Sequence, residues 1–201
     1  MTRAANIDLP ERILAEAQQI VMTSGYQGIN MRRLASLVGV SATTLYHYFE
    51  NKEAILAKLR IWAAEILNDR IRTIPADIAP DAFLAELGRR YVAYAQEKPN
   101  LYRLLFEAPL EKPDTTEGAH PVLYFTYLAA RDALEKKTKT GSHPMDPRYG
   151  AMMGWIMLHG FSSLMMSGML PPAEGMSRDT LLELFFSFYA SEGSDIPKTA
   201  E

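Results

Sequence analysis

Apolar residues recur at helical spacing along nearly the whole chain. Two predicted helices, at about 9–24 and 31–38, each carry one apolar stripe, formed by Ile13, Ala17, Ile20 and Val21 in the first and by Leu34, Leu37 and Val38 in the second. This spacing is typical of a helix that buries one side. No segment keeps the alternation of apolar and polar residues that marks a strand. The pattern therefore predicts an all-α protein.

Prolines, glycines and capping residues divide the pattern into about nine helices. We predict these helices at 9–24, 31–38, 42–48, 52–74, 81–97, 99–107, 120–138, 146–170 and 177–191. The same signals suggest a three-helix head over 1–52, a helical body over 53–193 and a flexible tail over 194–201. The long helix that begins at Lys52 leads from the head into the body.

A helix, a glycine turn and a second short helix occupy the end of the head. Asn30 can cap the first of these helices, because its side chain can accept from a free N–H group of the first turn. Gly39 follows the last periodic residue and tolerates the left-handed backbone that ends a helix. Ser41 is a second capping residue, so the next helix begins at Ala42. This arrangement predicts a helix-turn-helix.

The second short helix has one apolar and one polar side. Leu45 and Phe49 share the buried side, since each residue advances ~100° around a helix axis. The other side carries hydroxyl, phenol and imidazole groups from Thr43, Thr44, Tyr46 and His47. Such groups can hydrogen-bond to phosphates and base edges, which favours DNA binding over a helical hairpin with a merely solvated face.

The run V-S-A-T-T-L-Y-H-Y-F-E-N-K-E-A-I resembles the DNA-binding domain of the tetracycline-repressor (TetR) family of bacterial transcriptional regulators, with similarity over about residues 8–60. The resemblance implies that Arg32, Thr43 and Tyr46 contact bases. It places Thr44, His47, Tyr48 and Lys52 at phosphate-contacting positions. Ala42 departs from the polar residue of the founding member and offers only a methyl contact.

The complete predicted DNA-binding set is Asn30, Arg32, Arg33, Ser41, Ala42, Thr43, Thr44, Tyr46, His47, Tyr48 and Lys52. Some members have an alternative reading without DNA. Arg33 can be a solvated neighbour of Arg32, and Tyr46 and Tyr48 can be packing residues. Lys52 at a helix start opposes the helix dipole, which makes sense if a phosphate lies beside it.

Composition and charge narrow the class of protein. The net charge is −3, but residues 1–60 carry seven basic and five acidic side chains, so a mildly basic head is joined to an acidic body. There is no cysteine and no run of ~20 apolar residues, and the start lacks a secretory signal, so we expect a soluble cytoplasmic protein. The four histidines are scattered, and we expect no enzyme, cofactor or metal.

The last two predicted helices suggest a homodimer. In the final helix apolar residues occupy positions 181, 182, 184, 185, 186, 188 and 189, which leaves little polar circumference. Gly154, Gly160 and Gly168 in the preceding helix allow close helix approach. Burial in the centre of the body is the alternative. A helix-turn-helix dimer reads two half-sites, and the family resemblance implies dimerisation through these two helices.

The body carries candidate effector residues. Trp155 and His159 lie in the sequence W-I-M-L-H-G, which resembles a C-terminal domain type of one TetR branch named for Trp-His-Gly. The full candidate set is Tyr91, Tyr94, Tyr102, Phe106, Tyr124, Tyr127, Trp155 and His159. Core packing is the alternative for each. We hypothesise that a small, largely apolar effector binds here and releases a palindromic operator; the alternative is a regulator controlled by its abundance or by a protein partner.

Overall fold

The computed structural model describes residues 8–109, 121–139 and 145–170, with four more positions between 180 and 185. Its helices are α1 (Leu9–Ser24), α2 (Met31–Val38), α3 (Ala42–Tyr48), α4 (Lys52–Arg72), α5 (Pro80–Glu97), α6 (Pro99–Phe106), α7 (Pro121–Lys139) and α8 (Pro147–Ser167). A 3-10 turn, Tyr26–Gly28, joins α1 to α2. The all-α prediction is confirmed. Most of the helix predicted at 177–191, and the tail at 194–201, lie outside the described residues.

Two helices end earlier than the sequence predicts, each for a local reason. Helix α4 stops at Arg72 instead of residue 74, because Ile74 N–H bonds the Ile71 carbonyl at 3.0 Å in a terminal turn before Pro75. Helix α8 stops at Ser167 instead of residue 170, because Gly168 adopts a left-handed backbone with φ 71°. The apolar residues beyond each end had extended the predicted periodicity.

The chain divides into two compact units. Among the described residues, the first unit comprises those up to Ile66 and those from Lys98 to Leu123. The second unit comprises Leu67–Glu97 and the described residues from Tyr124 onward. Helix α6 therefore belongs to the first unit, together with α1, α2 and α3. Sequence patterns did not predict this grouping, because the association of α6 with α1 joins residues far apart in the chain. The domain boundary that the sequence suggests at residue 52, between a DNA-binding domain and a helical body, stays a prediction.

The first unit is built around α1. This helix packs against α2 and α6, and α2 packs against α3. Side chains with almost no exposed surface fill the centre, among them Ile13, Val21, Leu34, Leu45 and Leu104. The expectation that Leu37 is buried was wrong, since its side chain is 50% exposed. The buried stripe of α2 consists of Met31, Leu34, Ala35 and Val38. Leu37 lies one residue before Val38, ~100° away around the helix axis, and so points away from that stripe.

Polar contacts join α6 to the start of the first unit. Asn100 donates from its amide to the Met22 carbonyl at 3.0 Å, and the Tyr26 hydroxyl donates to the Glu107 carbonyl at 3.3 Å. Arg60 of α4 is buried and donates to the carbonyls of Leu104, at 3.3 Å, and Ala108. These carbonyls lie at the negative end of α6, where a cation is favourable. Burial lowers the pKa of the Arg60 guanidinium.

In the second unit α5 packs against α8. The buried side of α5 includes Leu84, Leu87, Tyr91, Val92 and Ala95, and that of α8 includes Ala151, Gly154, Leu158 and Phe161. Arg90 of α5 binds the end of α4, because its guanidinium donates to the Arg70 carbonyl and to the Thr73 hydroxyl. Arg70 in turn pairs with Glu97 at 2.7 Å. The C-terminal half of α5 is therefore tied to the last turns of α4.

Candidate functional site

The turn between α2 and α3 has the geometry that the sequence predicts. Gly39 adopts φ 78° and ψ 33°, the left-handed region that glycine enters without steric cost. Its N–H bonds the Ser36 carbonyl at 3.2 Å, and the next N–H, of Val40, bonds the Ala35 carbonyl at 2.9 Å. This pair of bonds satisfies carbonyls that a helix end leaves open. The start of α3 is therefore fixed relative to α2.

Side-chain caps hold the first turns of both helices. The Asn30 side chain accepts from the Arg33 N–H at 3.1 Å, and the Ser41 hydroxyl accepts from the Thr44 N–H at 3.0 Å. The Ser41 and Thr44 hydroxyls also lie 2.7 Å apart, within hydrogen-bond distance. Asn30 and Ser41 therefore have a structural role in the free protein, and Ser41 orients a hydroxyl on the first turn of α3.

Helix α3 presents the predicted polar face. Leu45 is fully buried and Phe49 is 7% exposed, which fixes the rotation of the helix about its axis. The exposed side chains on α3 are those of Thr43, Tyr46, His47 and Tyr48, and those of Ala42 and Thr44 are partly exposed. Tyr46 is 49% exposed, so it is not a packing residue of the core. The His47 and Tyr48 rings meet edge to face, with centroids 5.4 Å apart.

Basic side chains lie next to this helix on α2 and at the start of α4. Arg32 and Arg33 are exposed in the first turn of α2. Lys52 is partly buried and donates from Nζ to the Gln27 carbonyl at 3.4 Å. The adjacent helix start is capped by Asn51, whose side chain accepts from the Ala54 N–H at 2.8 Å. Lys52 therefore has a weak backbone partner in the free protein, which an incoming phosphate can replace.

Arg12 also supports the turn, although nothing in the sequence marked it. Its guanidinium donates from Nη2 to the Val38 carbonyl at 3.0 Å. Val38 is the last residue of α2, so Arg12 supplies a positive charge at the negative end of that helix. The two residues lie 26 positions apart, and only the folded packing of α1 on α2 brings them together.

The predicted effector residues are divided between the two units. Tyr102 and Phe106 belong to the first unit, where their ring centroids lie 4.8 Å apart. In the second unit Tyr124 and Tyr127 each lie 6.4 Å from the Trp155 ring, one of them edge to face and the other tilted. These three partly exposed rings form an aromatic cluster between α7 and α8. His159 lies one turn beyond Trp155 and is also partly exposed.

Tyr91 and Tyr94 are in a different setting from that cluster. Both have no exposed surface, in the interior of the second unit. Burial raises the pKa of the Tyr94 phenol, and the Arg70 guanidinium lies 5.6 Å from the centre of its ring. The burial of Tyr91 and Tyr94 is what core packing would produce. The side chains of the aromatic cluster are partly exposed, so a ligand can reach them.

Two other kinds of site are not found among the described residues. No helix there is long and apolar enough to cross a bilayer. In the same residues, histidine and carboxylate side chains do not gather in threes in a way that suits a metal ion.

Comparison with known proteins agrees with this geometry. A family model for bacterial regulatory proteins of the tetR family matches residues 13–59, which include α2, the turn and α3. A second model, for the tetracyclin repressor-like C-terminal domain, matches residues 84–187. The C-terminal match includes Trp155 and His159.

Similar proteins extend over most of the chain. The HTH-type transcriptional regulator RutR of Escherichia coli K12 is 29% identical over 186 residues, which cover 87% of this chain and 82% of RutR. A protein of unknown function from Rhodococcus sp. RHA1 has the same fold, with a TM-score of 0.78 and 20% identity over 97% of this chain and all of the other. FadR from Bacillus subtilis, solved with stearoyl-CoA, gives a TM-score of 0.68 and 18% identity over 90% of this chain and 97% of FadR. The chain belongs to the TetR family of transcriptional regulators, which are DNA-binding proteins and not enzymes.

Proposed function

We propose that this regulator is a cytoplasmic repressor, which binds a palindromic operator as a homodimer and is released by a small, largely apolar effector. The observation that carries the proposal is the polar face of α3, held at a fixed rotation by Leu45 and at a fixed start by Ser41. A helix that enters the major groove needs such a face and such a rigid support. In this proposal residues 1–52 are the DNA-binding domain, and 53–193 bind the effector and the second copy.

Base and phosphate contacts are divided within the head. Arg32, Thr43 and Tyr46 contact base edges, because they are exposed and carry groups that can donate or accept in the major groove. Thr44, His47 and Tyr48 lie on the flanks of α3 and contact phosphates. Lys52 joins them by exchanging the Gln27 carbonyl for a phosphate oxygen. Ala42 contributes a methyl contact.

One face of α8 supports dimerisation. Tyr149, Met153, Ile156 and Leu164 recur at helical spacing and are exposed, with Ile156 at 56%. Gly160 lies between them, and a Cβ added there would meet no atom within 4 Å. Exposed apolar stripes are characteristic of protein interfaces. A second copy of this chain is the occupant with a functional reason, because two recognition helices are needed for two half-sites.

The aromatic cluster supports the effector part of the proposal. Tyr124, Tyr127 and Trp155 combine apolar area with two phenol groups, a mixture typical of small-molecule sites. FadR, which shares the fold, was solved with an acyl-CoA. In the second candidate function the protein binds DNA without a small-molecule effector. Occupancy of the operator is then controlled by the abundance of the regulator or by a protein partner.

The test is capture of genomic DNA fragments from the source organism by the purified full chain, followed by footprinting. We expect a protected palindrome, with the two half-sites about one helical turn apart. A variant carrying Arg32→Ala and Thr43→Ala is the matched control and should lose the protected site. Capture of fragments without any shared sequence would contradict the proposal. Adding compounds to the bound complex then separates the two candidates, because only the first predicts release by a small molecule.

A further inference from the structure

Ser162 is a buried hydroxyl on α8 that lacks a hydrogen-bond partner. The side chain has no exposed surface, and its oxygen bonds to none of the residues that the structure describes. Its neighbours on the same side of α8 are Leu158 and Phe161, both buried and apolar. A buried polar group without a partner is unfavourable, so natural proteins rarely keep one without a reason.

A second polar group in the same helix pair has a poor partner. Gln96, at the end of α5, donates from Nε2 to the sulfur of Met165 at 3.1 Å. A thioether sulfur is a weak acceptor for an amide. Met165 lies three residues after Ser162, so the two side chains share one side of α8. The Ser162 hydroxyl and the Gln96 amide are therefore two underused donors in the region where α5 and α8 pack.

We infer that Ser162 and Gln96 bind the carbonyl oxygen of an uncharged effector. A carbonyl oxygen has two lone pairs and can accept from both donors at once. Met165 is partly buried, and its unbranched side chain can move to admit the ligand while Gln96 exchanges a sulfur for an oxygen. The inference rests on the proposed effector response and names the chemical class of the ligand.

The neighbours of Ser162 on α8 favour a neutral ligand over an acid. Leu158 and Phe161 offer no positive charge, and an ionised carboxylate buried without a cation is strongly unfavourable. A ketone, ester or thioester oxygen has no such penalty, because one or two hydrogen bonds are enough to satisfy it. An apolar chain attached to that carbonyl would suit the apolar sides of α5 and α8.

Matched probes test the carbonyl directly. The probes are methyl ketones from 2-heptanone to 2-undecanone, each paired with the 2-methyl-1-alkene in which a CH₂ group replaces the oxygen. Calorimetry with the full chain should show at least one ketone binding on the order of tenfold tighter than its alkene. In Ser162→Ala and in Gln96→Leu this preference should fall to about threefold or less. The control Ser163→Ala changes the next hydroxyl along the helix and should keep the preference.

Thermal unfolding of the unliganded variants is the second measurement. Ser162→Ala removes an unsatisfied hydroxyl, so its Tm should equal or exceed that of the parent chain. A fall of about 3 °C or more would mean that the hydroxyl has a partner inside the protein, and it would overturn the inference. Equal binding of ketone and alkene, or binding of neither, would do the same. Operator binding is measured on the same samples. Operator binding that persists while the ketone preference is absent would contradict only this inference, whereas loss of operator binding would contradict the proposed function.

Discussion

The Arg12 guanidinium donates to the Val38 carbonyl at 3.0 Å and so joins the first helix to the last residue before the helix-turn-helix turn. Val38 ends α2, and the bonded carbonyl carries part of the negative charge at that helix end. The contact thus adds a side-chain hydrogen bond from α1 to the backbone bonds that form the turn. A residue far from the recognition helix in sequence helps to set where that helix begins.

Arg12→Met should destabilise the head and weaken DNA binding. The substitution keeps the aliphatic part of the side chain and removes the donor, and we expect a loss of roughly 1 kcal/mol, because the arginine is largely exposed. About 1 kcal/mol corresponds to roughly a fivefold change in operator affinity if the turn must be closed to bind. Chemical unfolding and fluorescence anisotropy check both values. Gln19→Ala, at an exposed position of α1, should change neither.

Gly39→Ala should reduce stability through backbone strain alone. A Cβ at this position would meet no atom within 4 Å, so no steric clash contributes. The left-handed conformation costs an alanine about 1 kcal/mol or slightly more. Gly39→Asn should lose less, because asparagine tolerates that conformation better. Equal unfolding midpoints for Gly39→Ala and the parent chain would show that the turn does not hold this backbone in solution.

The division between base and phosphate contacts can be measured by the salt dependence of binding. Arg32→Ala and Thr43→Ala should alter the preferred operator sequence, because their side chains contact base edges in the proposed complex. Lys52→Ala should weaken binding to all DNA alike and lower the slope of log K against log salt by about one unit. Titrations on specific and random duplexes give both quantities. Equal losses on the two duplexes for all three variants would contradict the division.

The sequence predicted the head well because its signals are local. Asn30, Gly39 and Ser41 each act on backbone groups within a few positions, so their caps and turn could be assigned from spacing alone. The rotation of α3 also followed from Leu45 and Phe49, which lie one turn apart. Local rules of this kind need no knowledge of tertiary packing.

Contacts between distant segments could not be predicted in this way. In the sequence Arg12 and Arg60 contributed only to the charge of the head, but the first bonds a carbonyl 26 positions away and the second is buried against carbonyls 44 and 48 positions away. Leu37 was expected in the core because a helix of eight residues does not define its buried stripe closely. The effector-binding residues were the hardest to predict, because aromatic residues occur both in a protein core and in a ligand site.

Arg60→Met should be strongly destabilising. The methionine fills much of the space but leaves the buried carbonyls of Leu104 and Ala108 without their donor. Loss of a charged donor from buried acceptors costs about 2–4 kcal/mol. Lys58→Met, at an exposed position of the same helix, is the control and should cost less than about 0.5 kcal/mol. Urea unfolding of both variants checks the difference, and similar midpoints would mean that Arg60 is solvated in the native protein.

Ile156→Glu should separate the proposed dimer without unfolding the protomer. Ile156 is 56% exposed on the apolar face of α8, so a glutamate there is solvated in a single copy. In a dimer through this face the carboxylate would be buried, which should raise the dissociation constant on the order of a hundredfold. Sedimentation across a range of concentrations measures that shift, and circular dichroism should show unchanged helix content. Ala82→Glu, on an exposed part of α5, should sediment like the parent chain. If Ile156→Glu dimerises with unchanged affinity, the interface lies elsewhere. If the variant is a monomer that still protects both half-sites, the two copies bind DNA independently.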